Sequence, residues 1–192
     1  MSNLRFHICE TDLGWVGVAL SDRGLREITL PHKSRDDALR RVAEFGADEP
    51  VTKTEAARLE AMVDALVSGK PHKNGVSLDW TGITPFRRTV MEECARIPIG
   101  RTLTYGELAA KVGKPQAARA VGRVMATNPF PLLVPCHRVL GSDRTLHGYG
   151  GGLPMKAALL KAEGVTVAAG LENRPNAARM LSVERPAKRK RG

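Results

Sequence analysis

The chain has 192 residues, of which 42% are hydrophobic, a formal charge of +10 and an isoelectric point of about 10.0. This length and composition suit one large or two small folded domains and exclude a wholly disordered chain. No segment is long and apolar enough to span a bilayer, and the N-terminus lacks the apolar core of a signal peptide. The three cysteines, Cys9, Cys94 and Cys136, are far apart and show neither zinc-ligand nor disulfide-framework spacing, so we expect a cytoplasmic protein with free thiols.

The excess of basic residues is concentrated at the C-terminus but not confined to it. Residues 170–192 hold seven Lys and Arg against two Glu, which leaves 7 − 2 = 5 of the +10 there and +5 on residues 1–169. We expect 170–192 to be a basic, disordered tail. The charge favours an anionic partner, with nucleic acid first and an anionic membrane surface second, although an inert basic surface is also common.

The first part of the chain predicts a small sheet followed by helices. Residues 4–30 predict a three-stranded β-meander, with glycine-containing turns between the strands. Helical periodicity covers 35–46 and 54–68, and Gly69 is a stop signal. The apolar face of the second helix comprises Ala57, Leu59, Met62, Val63, Leu66 and Val67. Residues 77–80 are a short strand candidate.

The second part predicts short helices with recognisable caps. Thr84 and Pro85 begin a helix over 85–96. Thr104 and Glu107 form a capping-box pattern before a helix over 105–112. After a glycine turn, a third helix covers 116–125.

The last two of these helices have the pattern of a helix-turn-helix. The second is rich in Ala and Gly, and Arg119 and Arg123 lie one turn apart on one side. Small residues with arginine suit close approach to DNA. The alternative is a small-residue helix packed tightly against another helix.

A Cys136-His137 pair follows the apolar run 130–134, which predicts a buried strand that ends in a polar pair. Cysteine is a nucleophile as its thiolate, and a nearby imidazole promotes that form. On its own, the pair is more often a buried cysteine beside an incidental histidine.

Several motifs together resemble one family. In chain order they are TPF (84–86), TYGELA (104–109), AARAVG (117–122), NP (128–129), VPCHRV (134–139), GYGGGL (148–153), Lys156 and LLKAEG (159–164). This set resembles the O6-alkylguanine-DNA alkyltransferases, also called methylated-DNA–protein-cysteine methyltransferases, densely over 84–164 and more weakly in the N-terminal meander. The resemblance implies an α+β fold: a ribonuclease H-like α/β domain over 1–80 with a small antiparallel sheet, and a mostly helical domain over 84–169.

The resemblance also implies a chemistry, namely irreversible, single-turnover transfer of an alkyl group from guanine O6, and by extension thymine O4, to Cys136. His137 would act through a bound water as the base that forms the thiolate, and Glu163 would hold and polarise His137. No cofactor is implied, and we expect no metal because the zinc-binding set of some relatives is not recognisable here.

Substrate contacts are implied at four further positions. Tyr105 would donate to guanine N3, and the carbonyls of Cys136 and Val139 would accept from the exocyclic amine. The backbone around Tyr149 and Gly150 would donate to O6. Gly150 stands where many relatives have Ser or Ala, which predicts tolerance of larger alkyl groups.

The implied partner is double-stranded DNA that contains alkylated guanine, bound through phosphates and the minor groove. Arg119 would fill the gap left by the flipped nucleotide, and Asn128 would brace the turn between the recognition helix and the Cys136 strand. Ala118, Arg123 and Thr104 are further DNA-binding candidates. No membrane or obligate protein partner is implied, and cooperative binding on DNA stays open.

Three other function classes can be weighed against this one. A lesion-binding module without activity is disfavoured by Cys136, because such relatives replace the cysteine. A helix-turn-helix regulator that uses Cys136 as a sensor would carry an additional cysteine-rich domain. A thiol hydrolase would not account for the helix that carries Arg119, and it would turn over.

Overall fold

The computed structural model describes residues 4–72 and 76–167; the basic tail predicted over 170–192 lies outside the described residues. The first part forms a four-stranded sheet of order β3-β2-β1-β4, with β1 (Leu4–Thr11), β2 (Gly14–Ser21), β3 (Gly24–Ile28) and β4 (Ala47–Pro50). The three-stranded meander is confirmed, since β1, β2 and β3 pair antiparallel. The expectation of an antiparallel sheet is wrong for β4, which pairs parallel with β1. A helix carries the chain from β3 to β4, and such a crossover allows two strands to run parallel.

Two glycine turns set the meander. Gly14 and Gly24 have φ of +122° and +132°, a conformation that L side chains rarely adopt. A Cβ at Gly14 would lie 2.3 Å from the carbonyl oxygen of His32, and one at Gly24 would lie 2.1 Å from that of Ser77. Both turns therefore require glycine.

The two helices predicted in this part are confirmed with small shifts at their ends. They are α1 (Arg35–Glu44) and α2 (Lys53–Val67). The predicted apolar face of α2 is buried except for Ala57, which is exposed. Gly69, at φ +66°, lies just beyond the end of α2, as expected of a stop.

The strand candidate at 77–80 is wrong. Only a single bridge joins Leu78 to Leu25. The carboxylate of Asp79 instead accepts hydrogen bonds from the backbone and hydroxyl of Thr81 and from Ser21, so the chain turns at this point.

The second part is mostly helical, as expected. Its elements are α3 (Pro85–Ala95), β5 (Leu103–Thr104), α4 (Tyr105–Lys111), α5 (Ala118–Ala126), β6 (Val139–Leu140) and α6 (Gly152–Ala162). The capping box at α4 is confirmed, because Thr104 accepts from the Glu107 amide and the Glu107 carboxylate accepts from the Thr104 amide. Thr84 stands at the N-cap of α3 but makes no side-chain capping bond, so that part of the expectation is wrong.

One hydrophobic core joins the two parts. Leu25 and Leu59 from the first part share a cluster of buried residues with Val90 and Leu108 from the second. The backbone N–H of Ile28 also donates to the carbonyl of Pro129, at 3.0 Å. The sheet therefore packs against the segment that leads to the Cys136 motif. None of the helices within 4–72 and 76–167 is long and apolar enough to cross a membrane.

Candidate active site

The segment before Cys136 is a buried turn, not the predicted strand. Its apolar residues are buried as expected, but Leu132 has φ +75° and the Val134 N–H donates to the Phe130 carbonyl at 2.8 Å. The Asn128 side chain closes this turn, since its Nδ2 donates to the Val134 carbonyl at 2.8 Å and its Oδ1 accepts from the Phe130 amide at 2.9 Å. Local hydrogen bonds of this kind compete with strand pairing.

Cys136 begins a short 3₁₀ turn, Cys136–Arg138, that leads into β6, so it does not lie on a strand as predicted. The residue is 7% exposed. Burial raises the pKa of the Cys136 thiol, and this effect outweighs the opposing influence of the Asn128 amide, the Lys156 ammonium and the Tyr149 hydroxyl. Three groups around the sulfur therefore favour the thiolate in a setting that otherwise disfavours it.

His137 and Glu163 form a buried pair. His137 Nε2 lies 2.8 Å from Glu163 Oε1, and because an ionised carboxylate only accepts, Nε2 carries the hydrogen. Burial lowers the pKa of His137 despite the neighbouring Glu163. The other ring nitrogen, Nδ1, is buried and has no hydrogen-bond partner within the described residues. A neutral imidazole with Nδ1 free to accept a proton is the form that a general base needs.

Arg138 completes this network, and sequence analysis assigned it no role. Its Nε donates to both oxygens of Glu163, at 3.0 and 2.9 Å, and Nη2 donates to Oε1 at 2.8 Å. Nη1 donates to the carbonyl of Ile97. Although burial raises the pKa of Glu163, hydrogen bonds from His137 and Arg138 hold it below its usual value. A basic residue within a buried motif is the signal that could have indicated an internal ion pair.

A cavity of about 430 Å³ opens onto Cys136. The predicted residues Tyr105, Asn128, Tyr149 and Gly150 line it. The other lining residues are Leu30, Gly122, Met125, Ala126, Pro131 and Gly148. Leu30 follows β3 and was missed, because no local pattern marks a residue that reaches the site from the other part of the chain.

Val139 is brought close to the site but is not among the lining residues. Its carbonyl accepts from Lys156 Nζ at 2.6 Å, and the same ammonium donates to the His147 carbonyl at 3.2 Å. Lys156 is fully buried, and burial lowers its pKa to about 8. The carbonyl of Val139 thus has one lone pair that Lys156 does not use, and its contact with a substrate amine stays a prediction.

The residues predicted to contact DNA differ in their exposure to solvent. Arg119 and Arg123 are exposed on α5, and Ala118 is half-buried beside them. Thr104 is buried, and its hydroxyl accepts from the Glu107 amide. The Thr104 side chain therefore caps α4, and its contact with DNA stays a prediction.

Comparison with known proteins finds relatives in sequence and in fold. The family model described as 6-O-methylguanine DNA methyltransferase, DNA binding domain, matches residues 85–165. A Methanosarcina barkeri protein named methylated-DNA–protein-cysteine methyltransferase is 36% identical over 159 residues, which are 82% of this chain and 96% of that protein. The crystal structure of Mycobacterium tuberculosis OGT in complex with DNA superposes with a TM-score of 0.64 at 30% identity, over 83% of this chain and 92% of that one.

A second relative has a higher sequence identity to this chain, but over a shorter segment. A Salmonella typhimurium protein of the same name is 51% identical over 84 residues, which are 44% of this chain and 49% of that protein. This match therefore spans only about half of the relative, whereas the match to the archaeal protein spans nearly all of it. The buried Cys136 site, the agreement in overall fold and the near-complete archaeal match lead to one conclusion: this chain belongs to the methylated-DNA–protein-cysteine methyltransferase family.

Proposed function

We propose that this protein repairs O6-alkylguanine in DNA by transferring the alkyl group to Cys136 in one irreversible step. The observation that carries the proposal is the position of Cys136 on a cavity next to the buried His137–Glu163 pair. His137 Nδ1 takes the thiol proton through a water molecule, and the sulfur attacks the alkyl carbon. The S–C bond forms as the C–O6 bond breaks, and the electron pair goes to guanine. The thioether has no easy leaving route, so each molecule reacts once.

The cavity suits an extruded base. Tyr105 donates toward N3 of the guanine, which favours a neutral leaving group, and the backbone at Tyr149 and Gly150 donates toward O6. The carbonyls of Cys136 and Val139 accept from the exocyclic amine. O4-alkylthymine is a second substrate of the same chemistry.

The partner is double-stranded DNA, bound through phosphates and the minor groove by the helix-turn-helix formed by α4 and α5. The exposed Arg119 fills the space that the flipped nucleotide leaves in the stack, because unstacking costs a few kcal/mol and an inserted side chain offsets part of it. Arg123 adds a phosphate contact. The DNA-bound Mycobacterium structure supports this partner. Such a function places the protein in the cytoplasm, at the nucleoid in a bacterium.

Intact-mass spectrometry after mixing with excess duplex that contains O6-methylguanine tests the proposal. We expect one added methyl group per chain, mapped to Cys136 and absent in Cys136→Ala. Cys9 and Cys94 serve as internal controls, because both are buried and neither lines the cavity. Tight binding to the lesion without an adduct would instead indicate a recognition module.

A further inference from the structure

One wall of the cavity lacks regular secondary structure, namely the segment 141–151, which we term the substrate loop, and it is held on one side by the buried Leu146 and by Lys156, which donates to the His147 carbonyl. It contributes Gly148, Tyr149 and Gly150 to the cavity lining and contains no helix or strand. A Cβ at Gly150 would meet only Leu30 Cδ1, at 3.8 Å. The room available to a ligand at this wall therefore depends on where the loop backbone is held as well as on the Tyr149 side chain.

Arg144 holds the substrate loop from outside the cavity. Its φ is +59°, in the left-handed region that non-glycine residues adopt infrequently. Its Nη2 lies 2.7 Å from Glu107 Oε1, and the two side chains are 23% and 44% exposed. An unfavourable backbone conformation persists where surrounding contacts over-determine it, and this ion pair is such a contact.

Glu107 connects the loop to another wall of the cavity. Its second oxygen, Oε2, accepts from the Thr104 amide at 2.6 Å, and its own amide donates to Thr104 Oγ1 at 3.1 Å. These bonds fix the carboxylate to the first turn of α4, where Tyr105 faces the cavity. Burial raises the pKa of Glu107, but the bonds with Thr104 and the charge of Arg144 outweigh it and keep the carboxylate ionised.

We propose that Arg144 and Glu107 form a strap that sets the separation between the substrate loop and Tyr105 and so limits the size of the alkyl group that Cys136 accepts. Arg144 is a positioning residue, since it acts through the loop without lining the cavity. The role as a size limit rests on the proposed alkyl transfer. The strap acts against the tolerance of larger groups that Gly150 predicts.

Two single variants and their combination test the strap. Arg144→Gly suits a positive φ and removes the ion pair, and Glu107→Gln removes the charge while glutamine still serves in a capping box. We expect each to raise the ratio of benzyl to methyl transfer about fivefold in single-turnover assays at saturating duplex, which corresponds to about 1 kcal/mol and is the upper range for a partly exposed pair. The double variant should show the same ratio as either single variant, because both remove one interaction. Glu92→Gln, which breaks an exposed pair with Arg88 on α3, is the matched control and should leave the ratio unchanged.

A second readout separates the strap from the proposed function. Labelling of Cys136 by iodoacetamide and by the bulkier N-phenylmaleimide requires no DNA, and both strap variants should speed the bulky reagent relative to the small one. A wild-type protein that is labelled but takes no methyl group from DNA would refute alkyl transfer, while the reagent ratio still reports on the strap. Unchanged benzyl-to-methyl and reagent ratios in Arg144→Gly would overturn the strap.

Discussion

Burial of the residues around Cys136 determines which of them are charged. Burial raises the pKa of the thiol and also lowers the pKa of His137, so both groups are neutral in the resting site. In the proposed mechanism the neutral imidazole accepts the thiol proton, and Glu163, 2.8 Å from its Nε2, stabilises the imidazolium that results. The proposed mechanism therefore forms the thiolate only beside the substrate and does not hold it in the resting site.

The role of Glu163 can be measured at this scale. Glu163→Gln keeps the shape of the side chain but removes the charge that stabilises protonated His137 and balances Arg138. We expect methyl transfer to slow about a hundredfold, the lower range for general acid–base catalysis. Single-turnover transfer at saturating duplex is the measurement, and Glu44→Gln, an exposed carboxylate on α1, is the control. A Glu163→Gln rate within twofold of wild type would exclude the carboxylate from the chemistry.

At the scale of elements, the N-terminus of α4 positions Tyr105. β5 pairs with β6 through Leu103 with Val139 and Thr104 with Leu140, so α4 begins next to the strand that follows the Cys136 turn. The capping box then fixes the direction of the first helical turn. Pairing and cap together bring Tyr105 to the cavity.

Loss of this cap should affect both stability and rate. We expect Thr104→Ala to lower the free energy of unfolding by about 1 kcal/mol, because one helix N–H loses its acceptor. Urea denaturation measures this change. Thr102→Ala, which alters a threonine outside the helix, should be close to neutral. Transfer should also slow in Thr104→Ala, and a variant as stable as the Thr102 control would show that the cap contributes nothing.

At the scale of the whole molecule, two features surround the site: exposed basic residues on α5 and a hydrophobic core that is shared by both parts of the chain. The chain carries +10, and α5 presents Arg119 and Arg123 to solvent while its other side is packed in the core. The core continues from the sheet to the helices, and Leu30 extends from the sheet into the cavity. The first part of the chain therefore supplies a wall of the site as well as a scaffold.

The two arginines should differ in their effects. Arg123→Ala should reduce the slope of log affinity against log salt by about 1, as the loss of one phosphate contact predicts. In the proposed function the Arg119 side chain replaces the flipped nucleotide, so Arg119→Ala should in addition slow transfer at saturating DNA. Titrations at several salt concentrations and single-turnover rates measure the two effects. Arg40→Ala, exposed on α1, is the control, and equal transfer rates in the Arg119 and Arg123 variants would contradict the division of roles.

The sequence by itself determined the features that depend on local chemistry. The glycine turns of the meander, the capping box of Thr104 and Glu107, and the helices over 35–46 and 105–112 follow from residues within a few positions of each other. The motif VPCHRV over 134–139 could be recognised because its residues are contiguous in the sequence. Glu163, which is 26 residues away from His137, was placed beside it only by the family resemblance.

Only the tertiary structure decided the contacts between distant segments. The partners of Arg138 and Lys156, the parallel pairing of β4 and the entry of Leu30 into the cavity arise from packing across the chain. Residues 130–134 have the apolar pattern of a buried strand, but Asn128 closes them into a turn. The apolar pattern of a sequence predicts which residues are buried, but it does not predict which backbone groups form hydrogen bonds with each other. Strand pairing and contacts between distant segments therefore depend on the tertiary structure.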